Sequence, residues 1–468
     1  MSLGLAIGTA FLLAAQTPAT NTALVSLDPA TAGDAVSPDF IGLSLEMERL
    51  LPAKDGKRYF SDANKPLVAT FRALGVKSLR VGGNTADKPG TPLPSEADID
   101  SLFAFARAAG VKVIYTLRLR EGSRDDAAAA AKYVMDHHAA DLTCFAIGNE
   151  PNVFAKEYPA YLAEWKRYVE AITAPGKAPG ARFCGPSATP GKVAWAALFT
   201  KDVAGQAPLV MVTQHDYPGE SARRVTDVAA ARALMLSTTW TEGYQRFHDA
   251  FVPTATAHKL PYRLEEANSY FHGGAKDVSD TMTSALWALD YMYWWAWHGA
   301  GGINFHTGDE VAAGDALTPC RYASFWTAGS GYNVHPIGYA LKAFDVGGHG
   351  RRVAATVTPA NTALTAYGVA GENGALYLTL IRKDPDPKAA TLTVTVEPGR
   401  AFKTGGVMVL AVTDNDLAAT SGVTLGGAAI DDDGTWKGSW TALPAPSAGR
   451  FTVSLPPATA AVLRLEGR

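Results

Sequence analysis

Two stretches of this 468-residue chain end an apolar run in carboxylates. Ala146-Ile-Gly-Asn-Glu-Pro-Asn152 delivers an amide and Glu150 side by side, and Pro151 stops ladder pairing immediately afterwards. Tyr262-Arg-Leu-Glu-Glu-Ala-Asn-Ser269 ends in the same way on Glu265 and Glu266. A carboxylate fixed at a strand end can serve as general acid, base or nucleophile, and its plainer alternative is a helix cap or an ion pair. Two such groups facing one another fit the hydrolysis of a glycosidic bond. One protonates the leaving oxygen, and the other attacks the anomeric carbon or activates water. Strand alternation lets only one of Glu265 and Glu266 face that side, so the other is expected behind the strand or paired with Arg263.

These runs belong to a longer alternation of strands and helices. Phe40–Glu46, Ser78–Gly82, Val111–Thr116, Cys144–Gly148, Phe183–Gly185, Leu209–Thr213, Tyr262–Leu264 and Gly302–Phe305 read as eight strands. Between the second and third, Ser95 caps a helix with Asp98 three residues on. Ile99, Leu102, Phe103 and Ala106 share one face of it, and Gly110 stops it. Eight strand–helix units predict an α/β fold, a (β/α)8 TIM barrel over 39–344, with an open doubly wound sheet as the rival. The polar residues Glu46, Asn84, Glu150, His215, Glu266 and His306 lie at strand ends. In a barrel those C-terminal ends converge on one mouth, which favours the barrel.

After Phe344 the pattern changes. Asp345–Gly350 is a break, and Leu376–Ile381, Thr391–Val396, Val407–Val412 and Phe451–Leu455 alternate as strands do. With Gly, Asp and Pro turns between them, they predict an antiparallel β-sandwich over 345–468. Ala23–Leu27 is also strand-like, and the 24–38 segment is expected to join that sheet. All but seven of the aromatic residues fall between 39 and 344. There they suit sugar faces, although Trp294, Trp295 and Trp297 are read first as helix packing.

Composition narrows the function classes. With 47% apolar and 19% charged residues, disorder is a poor reading. A net charge of −3 lacks the long-range field of a nucleic-acid binder. No His-Glu-x-x-His or similar spacing points to a metal, and His137 and His138 face different directions, so neither metal nor cofactor is expected. Leu3–Ala15 is apolar, as long as a signal-peptide core and too short to cross a bilayer. Residues 1–23 are therefore read as a signal peptide, atypical in lacking a basic start, with cleavage near Ala15, Ala19 or Ala23. A secreted or periplasmic protein whose mature chain does not insert into a membrane is expected. Cys144, Cys184 and Cys320 do not make a disulfide framework, and Cys144 and Cys184, in apolar runs, are read as buried free thiols.

Asn149-Glu150-Pro151 at the fourth strand, with a Glu at the seventh, resembles the retaining glycoside hydrolases of clan A. More narrowly, Glu266-Ala-Asn-Ser269, Gly273-Gly274, Ser279-Asp-Thr281 and Ala285-Leu-Trp-Ala-Leu-Asp290 resemble glycoside hydrolase family 79. Gly42-Leu-Ser-Leu-Glu46 and Leu79-Arg-Val-Gly-Gly-Asn84 match its first two strands. That family holds β-glucuronidases, heparanases and relatives, and the likeness covers nearly the whole chain. It implies Glu150 as acid/base, Glu266 rather than Glu265 as nucleophile, and Asn149 on the sugar 2-hydroxyl. His215-Asp-Tyr217 resembles a His-x-Tyr pattern that would put the Tyr217 hydroxyl on the nucleophile. Glu46 and Asn84 would bind sugar hydroxyls, Arg80 would be a buried partner of a catalytic carboxylate, and His215 and His306 would support the site. The roles require Glu266 ionised and Glu150 protonated, the latter with a raised pKa, and carboxyls about 5–5.5 Å apart for retention.

One position departs from the family pattern. Phe271 stands where the family often has a tyrosine whose hydroxyl holds the substrate carboxylate, and Phe305 is a second candidate replacement. A hydrogen bond to a charged group contributes about 1.5–3 kcal/mol. Tyr270, His272, Tyr332 or main-chain amides near Gly273 and Gly274 would have to supply it. The expected activity is an exo-acting retaining β-D-glucuronidase on a carbohydrate or small glucuronide. The alternatives are a heparanase-like endo enzyme, a clan A glycosidase for a neutral sugar, and a noncatalytic carbohydrate-binding module. Arg223-Arg224 and Arg351-Arg352 are too short to form the basic subsites an endo enzyme needs.

Overall fold

A computed structural model describes residues 21–313, 316–360, 362–372 and 374–467, so residues 1–20 of the expected signal peptide lie outside it. The eight apolar runs form β2 (Ile41–Glu46), β3 (Ser78–Gly82), β4 (Lys112–Leu117), β5 (Leu142–Ile147), β6 (Phe183–Ala188), β7 (Leu209–Asp216), β8 (Tyr262–Ala267) and β9 (Ile303–His306), after β1 (Thr22–Asp28). Strands β2 to β9 pair in parallel and in chain order, and β9 closes on β2 with Ile41 opposite Ile303. The barrel therefore replaces the open-sheet alternative. Seven helices fill the first six crossovers: α1 (Lys65–Ala73), α2 (Glu96–Ala109), α3 (Arg124–His138), α4 (Tyr158–Thr173), α5 (Ala194–Val203), and α6 (Val228–Met235) with α7 (Thr238–Ala257). In α2 Ser95 and Asp98 form a capping box, and Gly110 closes the helix in the left-handed conformation.

After β8 comes α8 (Met282–Trp297), buried at every residue from Met282 to Ala296. A helix apolar on all sides needs cover on all sides, and two bodies supply it. Trp287 and Tyr291 pack on Phe305 of the barrel, while the Tyr293 ring stacks on Tyr367 of the C-terminal sheet at 4.8 Å. Trp294, Trp295 and Trp297 are packing residues here, with Trp294 stacked on His298. Asp290 ties the two bodies together, accepting hydrogen bonds from Thr365 and Tyr367 and an ion pair from Lys383 at 2.9 Å. Two hairpins absent from the sequence reading follow β9. They are β10 (Glu310–Ala313) with β11 (Ala316–Pro319), and β12 (Phe325–Ala328) with β13 (Gly331–Val334), and they lead into α9 (Pro336–Gly347).

The remaining strands are β14 (Arg351–Thr358), β15 (Leu364–Ala370), β16 (Leu376–Arg382), β17 (Leu392–Glu397), β18 (Thr404–Ala411), β19 (Thr424–Leu425), β20 (Thr441–Ala442), β21 (Phe451–Leu455) and β22 (Ala460–Glu466). They form one ten-stranded, mostly antiparallel sheet that includes β1, set between β14 and β17. β14 pairs with β15 through Arg351–Val353 and with β1 through Ala354–Thr358, so it serves both layers of the sandwich. Val25, Val394, Val453 and Leu455 share its core with Leu376, Leu378, Leu463 and Leu465. The N-terminal strand starts at Thr22, and Ala23 is already paired and buried, two residues before the expected boundary.

The lumen of the barrel corrects the reading of the cysteines. Cys144 and Cys184 form a disulfide, while Cys320 is free and buried. Neighbouring strands β5 and β6 bring their Cα atoms to 5.9 Å, and both side chains join Ile114, Ala146 and Met211 in a small apolar cluster inside the barrel. Among the described residues no helix is long and apolar enough to cross a membrane.

Candidate active site

The polar strand ends meet above that plug. The Gly82-Gly83 pair makes room for them. A Cβ on Gly82 would lie 2.3 Å from the Arg80 guanidinium carbon, and one on Gly83, at φ +65°, would lie 2.4 Å from Glu46 Oε2. Arg80 thus crosses the lumen, with Nη1 2.6 Å from Glu266 Oε2 and Nη2 2.6 Å from Asn149 Oδ1. On its other oxygen Glu266 accepts the Tyr217 hydroxyl at 2.9 Å. His215 Nδ1 and His306 Nδ1 stand 3.8 Å from the Glu266 oxygens. Burial alone would raise the Glu266 pKa. Protonated His306 and His215, Arg80 and the Tyr217 hydroxyl outweigh it and hold the carboxyl well below the usual carboxylate range.

Glu150 sits at the opposite side of this cluster. Its backbone is left-handed, φ +47°, a conformation that costs a non-glycine residue free energy and that concentrates at functional sites. The Glu150 amide donates to the carbonyl of Ser187, itself at φ +59°. Glu150 Oε1 and His215 Nδ1 share a hydrogen bond at 3.1 Å. One oxygen of Glu150, one of Glu266 and a ring nitrogen of His215 all lie within 4.8 Å of one another. The Glu150 side chain is 18% exposed and that of Glu266 8%, so both reach solvent.

That triad has the spacing of a metal site. Burial disfavours the charged His215 ring, yet Glu266, Glu150 and Glu265 together push its pKa up to about 9. His306 is raised as well: burial opposes the charge, and Glu266 and Glu46 outweigh it.

The supporting residues fall into two groups. Glu46 is almost wholly buried. Its Oε2 accepts from the Thr85 amide at 2.8 Å and hydroxyl at 2.7 Å, and its Oε1 accepts from the Ala312 amide at 3.2 Å. Asn84 is exposed, donates to the Ala312 carbonyl at 2.9 Å and accepts from Asn149 at 3.3 Å. The β10–β11 hairpin is thereby fastened to the mouth. Asn268 donates to the carbonyls of His306 and Tyr322, and Ser269 to Ser279, which explains the Glu266-Ala-Asn-Ser269 and Ser279 motifs as staples of the mouth. Gly273 and Gly274 lie in the loop so held, where the Gly273 carbonyl accepts from the Arg321 amide at 2.6 Å.

Several expectations need correction. Glu265 is neither behind its strand nor bonded to Arg263. Register shifts in β8 pair Gln214 with Leu264 and His215 with Glu266, leaving Glu265 as the extra residue of a bulge that turns it into the lumen against Ser187. Arg263 instead binds Asn304 and pairs with Asp39 at 3.0 Å. Phe305 is no wall of a sugar pocket, because it faces α8. Tyr332 accepts from Asn64 at 2.7 Å, and the Tyr270 ring packs on Trp240 at 5.6 Å. Phe271 itself lays its ring edge-on to Tyr217 at 6.2 Å, and the neighbouring His272 meets the Ser221 hydroxyl at 2.9 Å.

Sequence reasoning missed Asp87. Its carboxylate accepts from the Leu119, Arg120 and Asn149 amides, at 2.7, 2.9 and 2.6 Å, and fixes the turn that presents Asn149. Burial raises its pKa despite those donors. Its position three residues beyond Asn84 was the available signal.

No protein-family model and no curated protein sequence matches the chain. Solved structures do. A 4-O-α-L-rhamnosyl-β-D-glucuronidase from Fusarium oxysporum 12S superposes with a TM-score of 0.71 at 17% identity, over 94% of this chain and 99% of that one. The GH51 arabinofuranosidase from Xanthomonas axonopodis pv. citri gives 0.69 at 14% identity, over 95% and 100%. A monomeric β-xylosidase from Caulobacter crescentus CB15 gives 0.63 at 17%, over 95% and 99%. Identities this low speak to architecture alone. Over 94–95% of its length, the chain has the barrel-and-sandwich fold of these glycoside hydrolases.

Proposed function

We propose that the protein is a retaining, exo-acting glycoside hydrolase, a β-D-glucuronidase by preference, with Glu266 as nucleophile and Glu150 as acid/base. The observation that carries this reading is the Glu150–Glu266 pair itself, oxygens within 4.8 Å across the mouth. Inverting enzymes hold their carboxyls about 6.5–9.5 Å apart to admit a water, whereas retaining ones need only about 5–5.5 Å. In the first step the ionised Glu266 bonds to the anomeric carbon, the glycosidic C–O bond breaks, and the Glu150 proton goes to the leaving oxygen. In the second, water attacks the same carbon, gives its proton to Glu150 and releases Glu266. The low pKa of Glu266 suits the nucleophile, and the Tyr217 hydroxyl and Arg80 hold the attacking carboxylate in place. Asn149, fixed by Arg80 and Asp87, is assigned to the sugar 2-hydroxyl, and Asn84 to a neighbouring hydroxyl. Glu46 is read as a group that orients His306 and the hairpin.

The motif resemblance and the architecture shared with a rhamnosyl-glucuronidase support glucuronide as substrate. Main-chain amides near Gly273 and Gly274, with His272, Tyr270 or Tyr332, are assigned to its carboxylate. A neutral sugar is the second reading, favoured by the absent hydroxyl at Phe271. An oxidising compartment fits the Cys144–Cys184 disulfide and the expected export. A panel of aryl β-glycosides decides between the sugars: glucuronide against glucoside, galactoside and xyloside, with an arabinofuranoside added. Turnover of the glucuronide is expected, and turnover of a neutral sugar alone overturns the substrate. Full activity in both Glu150→Ala and Glu266→Ala overturns the hydrolase.

A further inference from the structure

A third carboxylate lies beneath the proposed catalytic pair. The bulge in β8 places two consecutive glutamates in one lumen, where a regular strand would admit one. Glu265 has no exposed surface, and its Oε1 accepts from the Ser187 hydroxyl and stands 3.8 Å from His215 Nε2. The other ring nitrogen of His215 faces upward, 3.1 Å from Glu150 Oε1 and 3.8 Å from Glu266 Oε1. Every charged group against this ring is therefore anionic: Glu150 from the end of β5, and Glu265 and Glu266 from β8. Arg80 of β3 is engaged with Glu266 and Asn149, and His306 of β9 faces Glu266 and Glu46. Among the described residues, His215 Nε2 has no hydrogen-bond acceptor, so the ion-pair partner at that end is Glu265.

On the reading of Glu150 and Glu266 as the hydrolytic pair, we propose that Glu265 is a positioning residue that acts through His215. It keeps the ring protonated on Nε2 and turned so that Nδ1–H points at Glu150. Which ring nitrogen carries a proton is set by what the other one faces. When Glu150 gives its proton to the leaving oxygen, the carboxylate that forms meets a fixed N–H donor. His215 gives up no proton in this step and Glu265 receives none. In the second step Glu150 regains its proton from water, and the same donor holds it in place. A buried carboxylate without such a partner would be costly, which is the physical reason for the bulge to bring Glu265 to the histidine.

The first test needs no substitution. The 15N-histidine NMR spectrum at pH 7.5 is expected to show His215, identified by its loss in His215→Asn, with both ring nitrogens protonated. A singly protonated ring overturns the proposal. Glu265→Gln, checked for fold by circular dichroism, is expected to lower the His215 titration midpoint by at least about one unit. It is also expected to cut kcat on an aryl glycoside about tenfold or more, with KM within about threefold. Glu265→Asp is expected to recover part of both. An unmoved His215 midpoint with kcat within about twofold of the parent overturns it. The hydrolase reading fails separately, through activity in Glu150→Ala and Glu266→Ala, and the NMR arm then still decides whether Glu265 governs the ring.

Discussion

Arg80 Nη1 stands 2.6 Å from Glu266 Oε2 inside the barrel, where the Arg80 side chain has no exposed surface. With His306 and His215, a cation at that distance favours the ionised form of the proposed nucleophile against the cost of burial. Arg80→Gln removes it. The ionised form of Glu266 then loses support, its pKa rises, and the acidic limb of the kcat/KM profile moves to higher pH by about 1–3 units. A pH–rate profile of the variant checks this. A limb that stays in place refutes the electrostatic role of Arg80.

Tyr217 approaches the other oxygen of Glu266, its hydroxyl donating at 2.9 Å. Tyr217→Phe keeps the ring against Phe271 and deletes only that donor. Hydrogen bonds to charged groups contribute about 1.5–3 kcal/mol, so kcat/KM is expected to fall about 10- to 150-fold. The melting temperature should move little, because the ring packing is preserved. A variant with parental kcat/KM argues that the hydroxyl does no chemical work.

The parts of this site that could be read in the sequence are those that depend on local pattern. Strands buried on both faces appear as continuous apolar runs, so all eight barrel strands were legible, and the polar residues at their ends marked the mouth. Glu265 was not legible, because alternation assumes an unbroken period of two and the β8 bulge breaks it. The Cys144–Cys184 pair depends on how two neighbouring strands lie across a separation of 40 residues, which apolar content does not encode. Asp87 acts on main-chain amides and so leaves no side-chain motif. The two hairpins after β9 have four-residue strands, and the first of them is placed through contacts with Glu46 and Asn84.

The disulfide closes a loop whose ends are 40 residues apart. By chain entropy, such a link stabilises by about 4 kcal/mol. The double variant Cys144→Ser, Cys184→Ser should therefore melt well below the parent, the more so because two hydroxyls replace sulfur in an apolar cluster with Ile114, Ala146 and Met211. Thermal unfolding with and without reductant tests this. Equal melting temperatures for parent and variant would deny the link any stabilising role.

Asp290 holds the barrel and the sandwich together through Lys383, Thr365 and Tyr367. Asp290→Ala leaves a mostly buried ammonium and two hydroxyls without their acceptor, a change that costs about 3–5 kcal/mol for a buried pair. Calorimetry should show a lower melting temperature, and a separate transition for the sandwich if this clamp couples the two bodies. The motif Ala285-Leu-Trp-Ala-Leu-Asp290 would then owe its acidic end to the domain contact.

Two buried groups set the direction of the pH dependence of stability. Burial pushes Asp216 up to about 7, against the opposing hydrogen bonds from the Tyr291 hydroxyl and the Tyr217 amide. The folded state thus keeps a proton that the unfolded chain releases above about pH 4, so the Asp216 contribution falls as pH rises through about 7. His215 is pushed up to about 9, as burial is outweighed by Glu266, Glu150 and Glu265. Its contribution is complete below the unfolded value of about 6.5 and is lost as pH rises through about 9. Both contributions are lost in the same direction, about 4 kcal/mol for Asp216 and about 3 kcal/mol for His215. Glu266 acts oppositely, with stability that is present above the ordinary carboxylate range and lost only on strong acidification. The melting temperature should therefore be highest near pH 5 and decline steadily toward pH 9. In Asp216→Asn the decline between pH 5 and 7 should flatten, and in His215→Gln that between pH 7 and 9. A parental melting temperature that is level from pH 5 to 9 would show that neither group keeps its shifted proton in the folded protein.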